Sequence, residues 1–404
     1  MSKLLKIALG IFTSIGGFLE VGAIATTTQA GAAFRFQLIW AVVLGTVCVI
    51  FLVEMSGRLA AVSHHTIKDA LRERFGPRIF MITLVSDLVI NLLVLAAEIG
   101  GMSLALQLVT GIGFQWWAVP VGVLIWLVLW KGTFGLIENG TALLGLVAVA
   151  FVVAALKLHP PAGDVVAGLL PTLPTEQPAH YWFTAVSILG AAISPYLFYF
   201  YSSGVIEDKW DEDQIGVNRA VATVGMSFGG LLAIAVPVVA AMVLNPLGIE
   251  PDRFEQAALM LTGPLGRAGF FLFAGILWIT CLGAALELGL ATAYSFAQGL
   301  GWNWGENIKP RKAARFSLVY TAMIAAASLL MISGIDPLKL TLLSMALTSL
   351  ILPIVTIPFL ILMNDPDYVG EHGNGWIGNT VVVGISLLAS LLALVTIPLQ
   401  LLGG

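Results

Sequence analysis

Long apolar runs, each about as long as a membrane-spanning helix, recur along the whole chain and constrain its fold more than any other feature. A helix needs about 20 apolar residues to cross the hydrocarbon core of a bilayer. Eleven segments fit that template, at about residues 7–30, 36–59, 78–110, 114–131, 138–158, 180–203, 217–243, 267–299, 313–333, 337–363 and 376–401. Only 10% of the residues are charged, against about 25% in soluble domains. The sequence therefore predicts an all-α integral membrane protein with a single transmembrane domain.

Two polar segments between the spans have helical periodicity. They read "TIKDALRERFG" from residue 66 and "DRFEQAALMLTG" from residue 252. We expect both to form short helices at the membrane surface, since neither is long enough for a separate soluble domain. The first apolar run follows Lys3 and Lys6 as a signal peptide would, but its length and the many later spans favour an uncleaved first helix.

The distribution of basic residues predicts the orientation. If the N-terminus is cytoplasmic, fourteen of the nineteen Lys and Arg residues fall on the cytoplasmic side. Loops on that side carry the excess of Lys and Arg in membrane proteins. We therefore expect a prokaryotic-type cytoplasmic membrane protein whose N-terminus is inside and whose C-terminus, after eleven spans, is outside.

Several classes of function lack positive support. No basic tract suggests nucleic-acid binding, and no catalytic or nucleotide-binding motif suggests an enzyme or a cofactor. Cys48 and Cys281 lie far apart in apolar segments, without the spacing of a zinc or redox site.

Two spans are interrupted at corresponding positions. The first contains "GGFLEVG", and the sixth, five spans later, contains "GAAISPYLF", where Pro195 lacks the amide that a helix interior needs. Paired breaks of this kind are typical of inverted-repeat transporters, which bind substrate at the unwound backbone. We expect repeats at about residues 7–158 and 180–363, with an additional span at 376–401. A channel or a membrane enzyme can also contain a proline-kinked helix.

Glu20 is the strongest candidate for a functional residue. A charge at membrane depth is costly unless it faces a cavity or a partner. The neighbouring Gly16, Gly17 and Gly22 allow the backbone to unwind and to expose its carbonyl oxygens. A carboxylate beside free carbonyls suits a hard cation or a proton. The alternative is a protonated glutamic acid hydrogen-bonded to a neighbouring helix.

Other polar residues in the spans are candidates for coupling or relay. They are Asp87, Asn91 and Glu98 in the third span and Glu287 in the eighth. A structural hydrogen bond is about as good an explanation for each of them. In the sixth span, Ser194 marks the break and Tyr196 adjoins it, so both are expected near the substrate.

Four blocks resemble the NRAMP family of divalent-metal transporters, which has the LeuT-like 5+5 inverted-repeat fold. They are "GAIATTTQAGAAFRFQLIW", "VEMSGRLAAVSHHTIKDALRERFG", "AAEIGGMSLALQL" and "AAISPYLFYF". The family's first-span Asp-Pro-Gly-Asn motif falls on Glu20, Val21, Gly22 and Ala23, and its sixth-span Met-Pro-His-Asn motif falls on Ser194, Pro195, Tyr196 and Leu197. The resemblance also implies that the backbone carbonyls of Gly17 and Ala191 bind the substrate.

The resemblance implies a secondary transporter that moves a divalent cation by alternating access, held by Glu20, Gly17 and Ala191. The family's Asn, Met and His ligands are absent from the matching positions, and its third-span Asp falls on Leu95. Because soft sulfur ligands favour later transition metals, Mg²⁺ becomes at least as credible a cargo as Mn²⁺. A small non-metal solute, or a channel or sensor, remains an alternative. Proton coupling and oligomeric state stay open.

Overall fold

The computed structural model describes residues 19–131, 146–174, 177–305 and 308–401, and these ranges contain helices and connecting segments but no strand. The long helices are Val21–Phe34, Ile39–Ser63, Ile67–Thr110, Phe114–Lys131, Val149–Leu158, Pro178–Ala192, Pro195–Glu207, Ile215–Val243, Arg267–Leu300, Ala314–Ile332, Pro337–Leu362 and Trp376–Leu401. The prediction of an all-α fold is confirmed.

Nine helical stretches in the described ranges are long and apolar enough to cross a membrane. The sixth span counts as one of them, although it consists of two helices, Pro178–Ala192 and Pro195–Glu207. Of the eleven expected spans, the first is described only from residue 19, and the fifth only from residue 146.

Both expected surface helices are present. The helix Ile67–Thr110 joins the "TIKDALRERFG" segment to the third span, and its backbone breaks at Gly76, where φ is 74° and ψ is 177°. Pro77 follows directly, so the break coincides with a residue that lacks an amide donor. The second segment forms two short helices, Phe254–Ala257 and Leu259–Leu265.

The described part of the first span packs against the broken sixth span. The helix Val21–Phe34 contacts Pro178–Ala192, and the tenth-span helix Pro337–Leu362 contacts both of them. The long third-span helix, Ile67–Thr110, packs along Arg267–Leu300 and along Pro337–Leu362. Since the third, eighth and tenth spans border the breaks, their polar side chains are candidates to reach the same interior space.

A polar cluster ties the 364–375 connection to the rest of the bundle. The Arg58 guanidinium pairs with the Glu54 carboxylate at 2.9 Å, as expected from their spacing of four residues. It also donates to the His372 carbonyl and to the Asn374 side chain.

A second ion pair joins the surface helix to the same connection. The Arg74 guanidinium donates to the Asp365 carboxylate at 2.6 Å. This bond lowers the pKa of the Asp365 carboxyl below its ordinary value, so the pairing is retained at neutral pH and lost as the carboxyl is protonated in acid.

A substitution at Gly31 tests how closely the first and seventh spans pack. A Cβ at Gly31 would press on the Pro237 carbonyl and lie 2.7 Å from the Ala240 Cβ. We expect Gly31→Ala to lower the free energy of unfolding by about 1–3 kcal/mol through overpacking. Thermal melting of the purified protein in detergent measures the change. The control Gly275→Ala places its Cβ in open space, so equal losses in both variants would contradict this explanation.

Candidate functional site between the two helix breaks

Glu20 lies at the start of the first described helix and is fully buried. Its backbone is extended, with φ −100° and ψ 177°, and it precedes the helix Val21–Phe34 as the N-cap without capping it through the side chain. Instead, one carboxylate oxygen accepts a 2.7 Å hydrogen bond from the Tyr196 phenol. The other accepts a 3.3 Å hydrogen bond from the Ser194 hydroxyl. The acid that precedes the helix Val21–Phe34 is therefore bonded to both polar residues at the sixth-span break.

The local fold places two helix starts near this acid. Glu20 precedes one helix, and Ser194 is the N-cap of the helix Pro195–Glu207. Helix N-termini carry unpaired amides and a partial positive charge, which favour an adjacent carboxylate. These helix starts act against the desolvation that burial in an apolar bundle imposes on the ionised form.

The Ala191 carbonyl is free of the helical ladder because of the sequence that follows it. In a continuous helix it would accept from the amide four residues later, but that residue is Pro195, which has no amide hydrogen. The Ser194 hydroxyl lies 3.2 Å from this oxygen. Ala191 thus presents a main-chain oxygen beside the hydroxyl that bonds Glu20.

Gly22 and Ala23 lie in the first turn after Glu20, and Gly17 lies outside the described residues. The Gly22 and Ala23 carbonyls accept hydrogen bonds from the hydroxyls of Thr26 and Thr27, at 2.8 and 2.5 Å. These two carbonyl oxygens are therefore already engaged within the helix. The Met345 side chain lies close to Gly22, so that a Cβ added at Gly22 would overlap it.

Two further carboxylates lie close enough to interact electrostatically with the site. Glu98, fully buried in the third span, interacts with both Glu20 and Glu287. The Val21 amide and the Cys281 thiol approach the Glu98 carboxylate. Neither contact reaches ordinary hydrogen-bond geometry, and no other donor in the described residues does so. Cys281 was expected only to fill apolar space, and its proximity to Glu98 depends on how the third and eighth spans pack.

The other third-span candidates have nearby partners. Asp87 forms a buried ion pair with Lys68, whose ammonium nitrogen lies 3.7 Å from the centre of the Tyr199 ring. The Asn91 amide donates to the Thr292 hydroxyl at 3.0 Å.

Lys68 lies in the segment that was expected to form a surface helix, and only 1% of its surface is exposed. It shares a helical face with Leu71 and Phe75, which accounts for its burial.

The connection between the seventh and eighth spans is bonded to two of the spans that border the site. The Gln29 side chain donates to the Pro251 carbonyl, and the Gln107 side chain donates to the Glu255 carboxylate at 2.6 Å. These bonds fasten the same connection to the first and the third span.

Among the residues that the structure describes, no three His, Cys, Asp or Glu side chains gather as a metal cluster. A cation at the breaks would instead be bound by one carboxylate together with carbonyl and hydroxyl oxygens. Such a ligand set suits an ion that keeps part of its water shell.

The fold and the site together define a class of protein. A helical membrane bundle in which the helix that starts after a buried acid meets the interruption of the sixth span has the architecture of LeuT-like secondary transporters. Solved structures of that fold match almost the whole chain. A manganese transporter of Eremococcus coleocola matches with a TM-score of 0.75 at 18% identity, covering 98% of this chain and 87% of that one. Mhp1, a nucleobase-cation-symport-1 family transporter, matches with a TM-score of 0.63 at 16% identity, covering 97% and 92%.

Sequence comparison assigns the chain to a family. The model described as natural resistance-associated macrophage protein-like, Nramp, matches residues 10–398, and the chain belongs to this family. A divalent metal cation transporter, MntH, of Klebsiella pneumoniae is 25% identical over 93% of this chain and 91% of its own length. The MntH of Deinococcus radiodurans is 26% identical over 91% and 86%. The expected resemblance and the LeuT-like fold are confirmed, and the family is one of transporters rather than enzymes.

Tyr196→Phe tests the bond between the two breaks. The change removes the shorter of the two hydrogen bonds to Glu20 while keeping the ring. We expect it to lower the free energy of unfolding by about 1–3 kcal/mol, since it leaves a buried carboxyl oxygen without its partner. Ser194→Ala should cost less, because its bond is longer and its hydroxyl also contacts Ala191. Thermal melting in detergent ranks the two variants by their loss of stability. A larger loss in Ser194→Ala than in Tyr196→Phe would contradict this geometry.

Proposed function

We propose that this protein is a secondary transporter that moves a divalent metal cation across the membrane by alternating access, with Glu20 as its charged ligand. One observation carries the proposal: the Glu20 carboxylate is buried between the two helix breaks and bonded to Ser194 and Tyr196. The names of the MntH relatives support a metal as cargo.

The residues at the breaks supply an oxygen-rich ligand set. Glu20 provides the negative charge, Ala191 provides a main-chain carbonyl, and the hydroxyls of Ser194 and Tyr196 lie alongside. A hydroxyl can donate a hydrogen bond or offer a lone pair. Before the cation arrives, the two hydroxyls donate to Glu20. When the cation binds, they rotate and present oxygen to it, with Gly17 contributing its carbonyl from the preceding segment.

Alternating access follows from the position of the site. The connection at residues 250–262 closes one side through its bonds to Gln29 and Gln107. Release of those bonds opens a path along the helix Val21–Phe34 towards Glu20. The third and tenth spans remain packed against both breaks and keep the ligand residues at fixed distances from one another.

Four buried polar residues are assigned to coupling. Glu98 and Glu287 interact electrostatically with the ligand carboxylate or with each other, so charge entering the site changes the free energy of protonating them. Asp87 and Asn91 continue the polar path along the third span. If protons or another ion bind these groups during the cycle, the gradient of that ion drives the transport of the cation.

The protein resides in the cytoplasmic membrane with its N-terminus inside and its C-terminus outside. The excess of basic residues on one set of connections supports this orientation. The single domain consists of two repeats, about 7–158 and 180–363, and a final span at about 376–401.

Glu20→Gln tests the ligand assignment. We expect saturable uptake of Mn²⁺ or Mg²⁺ into proteoliposomes by the wild type, and a loss of at least about tenfold in the variant, because the neutral amide removes the charge that balances the cation. The control Glu212→Gln alters an exposed carboxylate and should transport normally. Uptake of small organic solutes is measured in parallel. The absence of divalent flux under any ion gradient would remove the proposal, and flux that does not saturate would indicate a channel.

Glu98→Gln and Glu287→Gln test coupling. If either carboxylate carries a proton during the cycle, its variant should move metal with reduced internal acidification. A fluorescent pH indicator inside the proteoliposomes records protons beside metal uptake. An unchanged ratio of protons to metal in both variants would contradict the assignment.

The orientation is tested by labelling introduced cysteines on intact cells with an impermeant maleimide. The exposed Leu247 lies after the seventh span and Gly375 after the tenth. We expect Leu247→Cys to react directly and Gly375→Cys to react only after permeabilisation. The native cysteines at 48 and 281 are buried, which keeps the background low. The opposite labelling pattern would show that the N-terminus lies outside and would contradict the proposed orientation.

A further inference from the structure

The ion pair between Lys68 and Asp87 lies inside the bundle, away from solvent. Only 1% of the Lys68 surface and 3% of the Asp87 surface are exposed. The ammonium group donates to one oxygen of the carboxylate and packs on the Tyr199 ring, whose centre is 3.7 Å from the nitrogen. Lys68 belongs to the surface helix before the bend at Gly76, Asp87 to the third span, and Tyr199 to the helix Pro195–Glu207. Three separate elements therefore meet at one ammonium group.

The polar atoms around this ammonium are incompletely bonded. Among the residues that the structure describes, the second oxygen of Asp87 is buried and has no hydrogen-bond donor, and the Tyr199 hydroxyl is buried and has no hydrogen-bond partner. A buried ion pair offsets its desolvation only when the remaining lone pairs are also satisfied, so this pair is poorly explained as a stabilising contact. Charged residues inside a membrane bundle mark ion pathways. The unbonded oxygens are suited to a ligand that replaces the ammonium.

Asp87 lies on the same face of the third span as the polar residues that lead to Glu20. Asn91 and Glu98 follow it by four and eleven positions, which places all three within about 40° of one another on a helix of about 3.6 residues per turn. Asp87 lies about 16 Å from Glu98 along the helix axis, towards the surface helix. Glu98 in turn interacts electrostatically with Glu20. A stripe of polar side chains thus runs from the proposed substrate site to the ion pair.

The helix Pro195–Glu207 connects the same two places. Tyr196, in its first turn, donates to the Glu20 carboxylate, and Tyr199, one turn further, contacts the Lys68 ammonium. A movement of this helix when Tyr196 turns from Glu20 to a bound cation therefore changes the surroundings of Lys68. Occupancy of the substrate site and the position of Lys68 are linked through one rigid element.

We propose that Asp87 and Tyr199 form a second cation-binding site, through which the divalent cargo passes between Glu20 and the cytoplasm, and that the Lys68 ammonium occupies this site until the cargo displaces it. The inference rests on the proposed function and adds a step to it. When Lys68 leaves, Asp87 supplies the negative charge and Tyr199 supplies its ring face and hydroxyl oxygen, while the cation keeps most of its water shell. Because the two cations repel each other, the return of Lys68 after release opposes backflow from the cytoplasm.

Calorimetric titration of the full-length protein with Mn²⁺ and, separately, with Mg²⁺ tests the second site. Lys68→Met keeps the apolar stem and removes the ammonium. We expect the wild type to bind one ion and Lys68→Met to bind two, because the unpaired Asp87 carboxylate then attracts a cation. The double variant Lys68→Met and Asp87→Asn removes both charges and should bind one ion again.

A matched control removes the basic partner of an exposed carboxylate. Arg74→Met leaves Asp365 unpaired at the surface, where water already solvates it, and this variant should bind one ion as the wild type does. A second ion in Arg74→Met as well as in Lys68→Met would mean that any unpaired carboxylate attracts the cation, and would overturn the assignment of a built site at Asp87.

Reductive methylation of Lys68 in the wild type gives a measurement that needs no variant. The reagents are small and cross the membrane, but in this structure the amine is buried and should react slowly. During uptake of Mn²⁺ or Mg²⁺ into proteoliposomes, we expect methylation of Lys68 to rise by at least about threefold, since transport populates the state in which Lys68 is displaced. The exposed Lys209 should react equally with and without the cation. Mass spectrometry of the peptides measures both residues.

The outcomes are distinct. A single ion in folded Lys68→Met, a second ion that persists in the double variant, or methylation of Lys68 that does not change during uptake would each overturn the second site and leave divalent transport intact. If Lys68→Met does not fold, the methylation of the wild type decides alone. A wild type that binds and moves no divalent cation would instead refute the proposed function, and this inference with it.

Discussion

The structure depends on one buried carboxyl group that joins the start of the helix Val21–Phe34 to the interrupted sixth span. Inside a bilayer no water is present to satisfy a broken backbone, so helices can be interrupted only where other groups bond the released amides and carbonyls. The Glu20 carboxylate accepts hydrogen bonds from Ser194 and Tyr196 at the sixth-span break. The Ser194 hydroxyl in turn approaches the Ala191 carbonyl, which Pro195 leaves without its helical donor. The charge and the two breaks are therefore parts of a single arrangement.

The surrounding spans place further side chains near this centre. The third and eighth spans bring Glu98 and Glu287 into its electrostatic field, and the tenth span inserts Met345 between the breaks. Glycines at positions 22 and 190 permit that approach, because any larger residue would overlap the methionine. The result is a site with one buried carboxyl group and several hydroxyl and carbonyl oxygens. Other members of this fold can bind different cargo with the same scaffold, because the ligands are few and lie on elements that tolerate substitution.

Several features of the fold and the site were predictable because they have local causes. Apolar length predicted the spans, and the Ser194–Pro195 pair predicted the sixth-span break, since proline removes a donor in any context. The cost of burying a charge marked Glu20, and its adjacency to the break marked Tyr196. The burial of Lys68 was not predicted, because the pairing of its charge with Asp87 depends on how the surface helix folds onto the third span.

The sequence by itself determined that this chain crosses the membrane many times, that two of its helices are interrupted, and that a carboxylate lies at one interruption, since length, proline chemistry and desolvation act on neighbouring residues. Only the tertiary structure decided which side chains face that carboxylate. Ser194 and Tyr196 reach Glu20 from more than 170 residues away, Lys68 pairs with Asp87 across a bend, and Met345 contacts Gly22 from another span. These contacts follow from the relative positions of packed helices, and no pattern within a single helix encodes those positions.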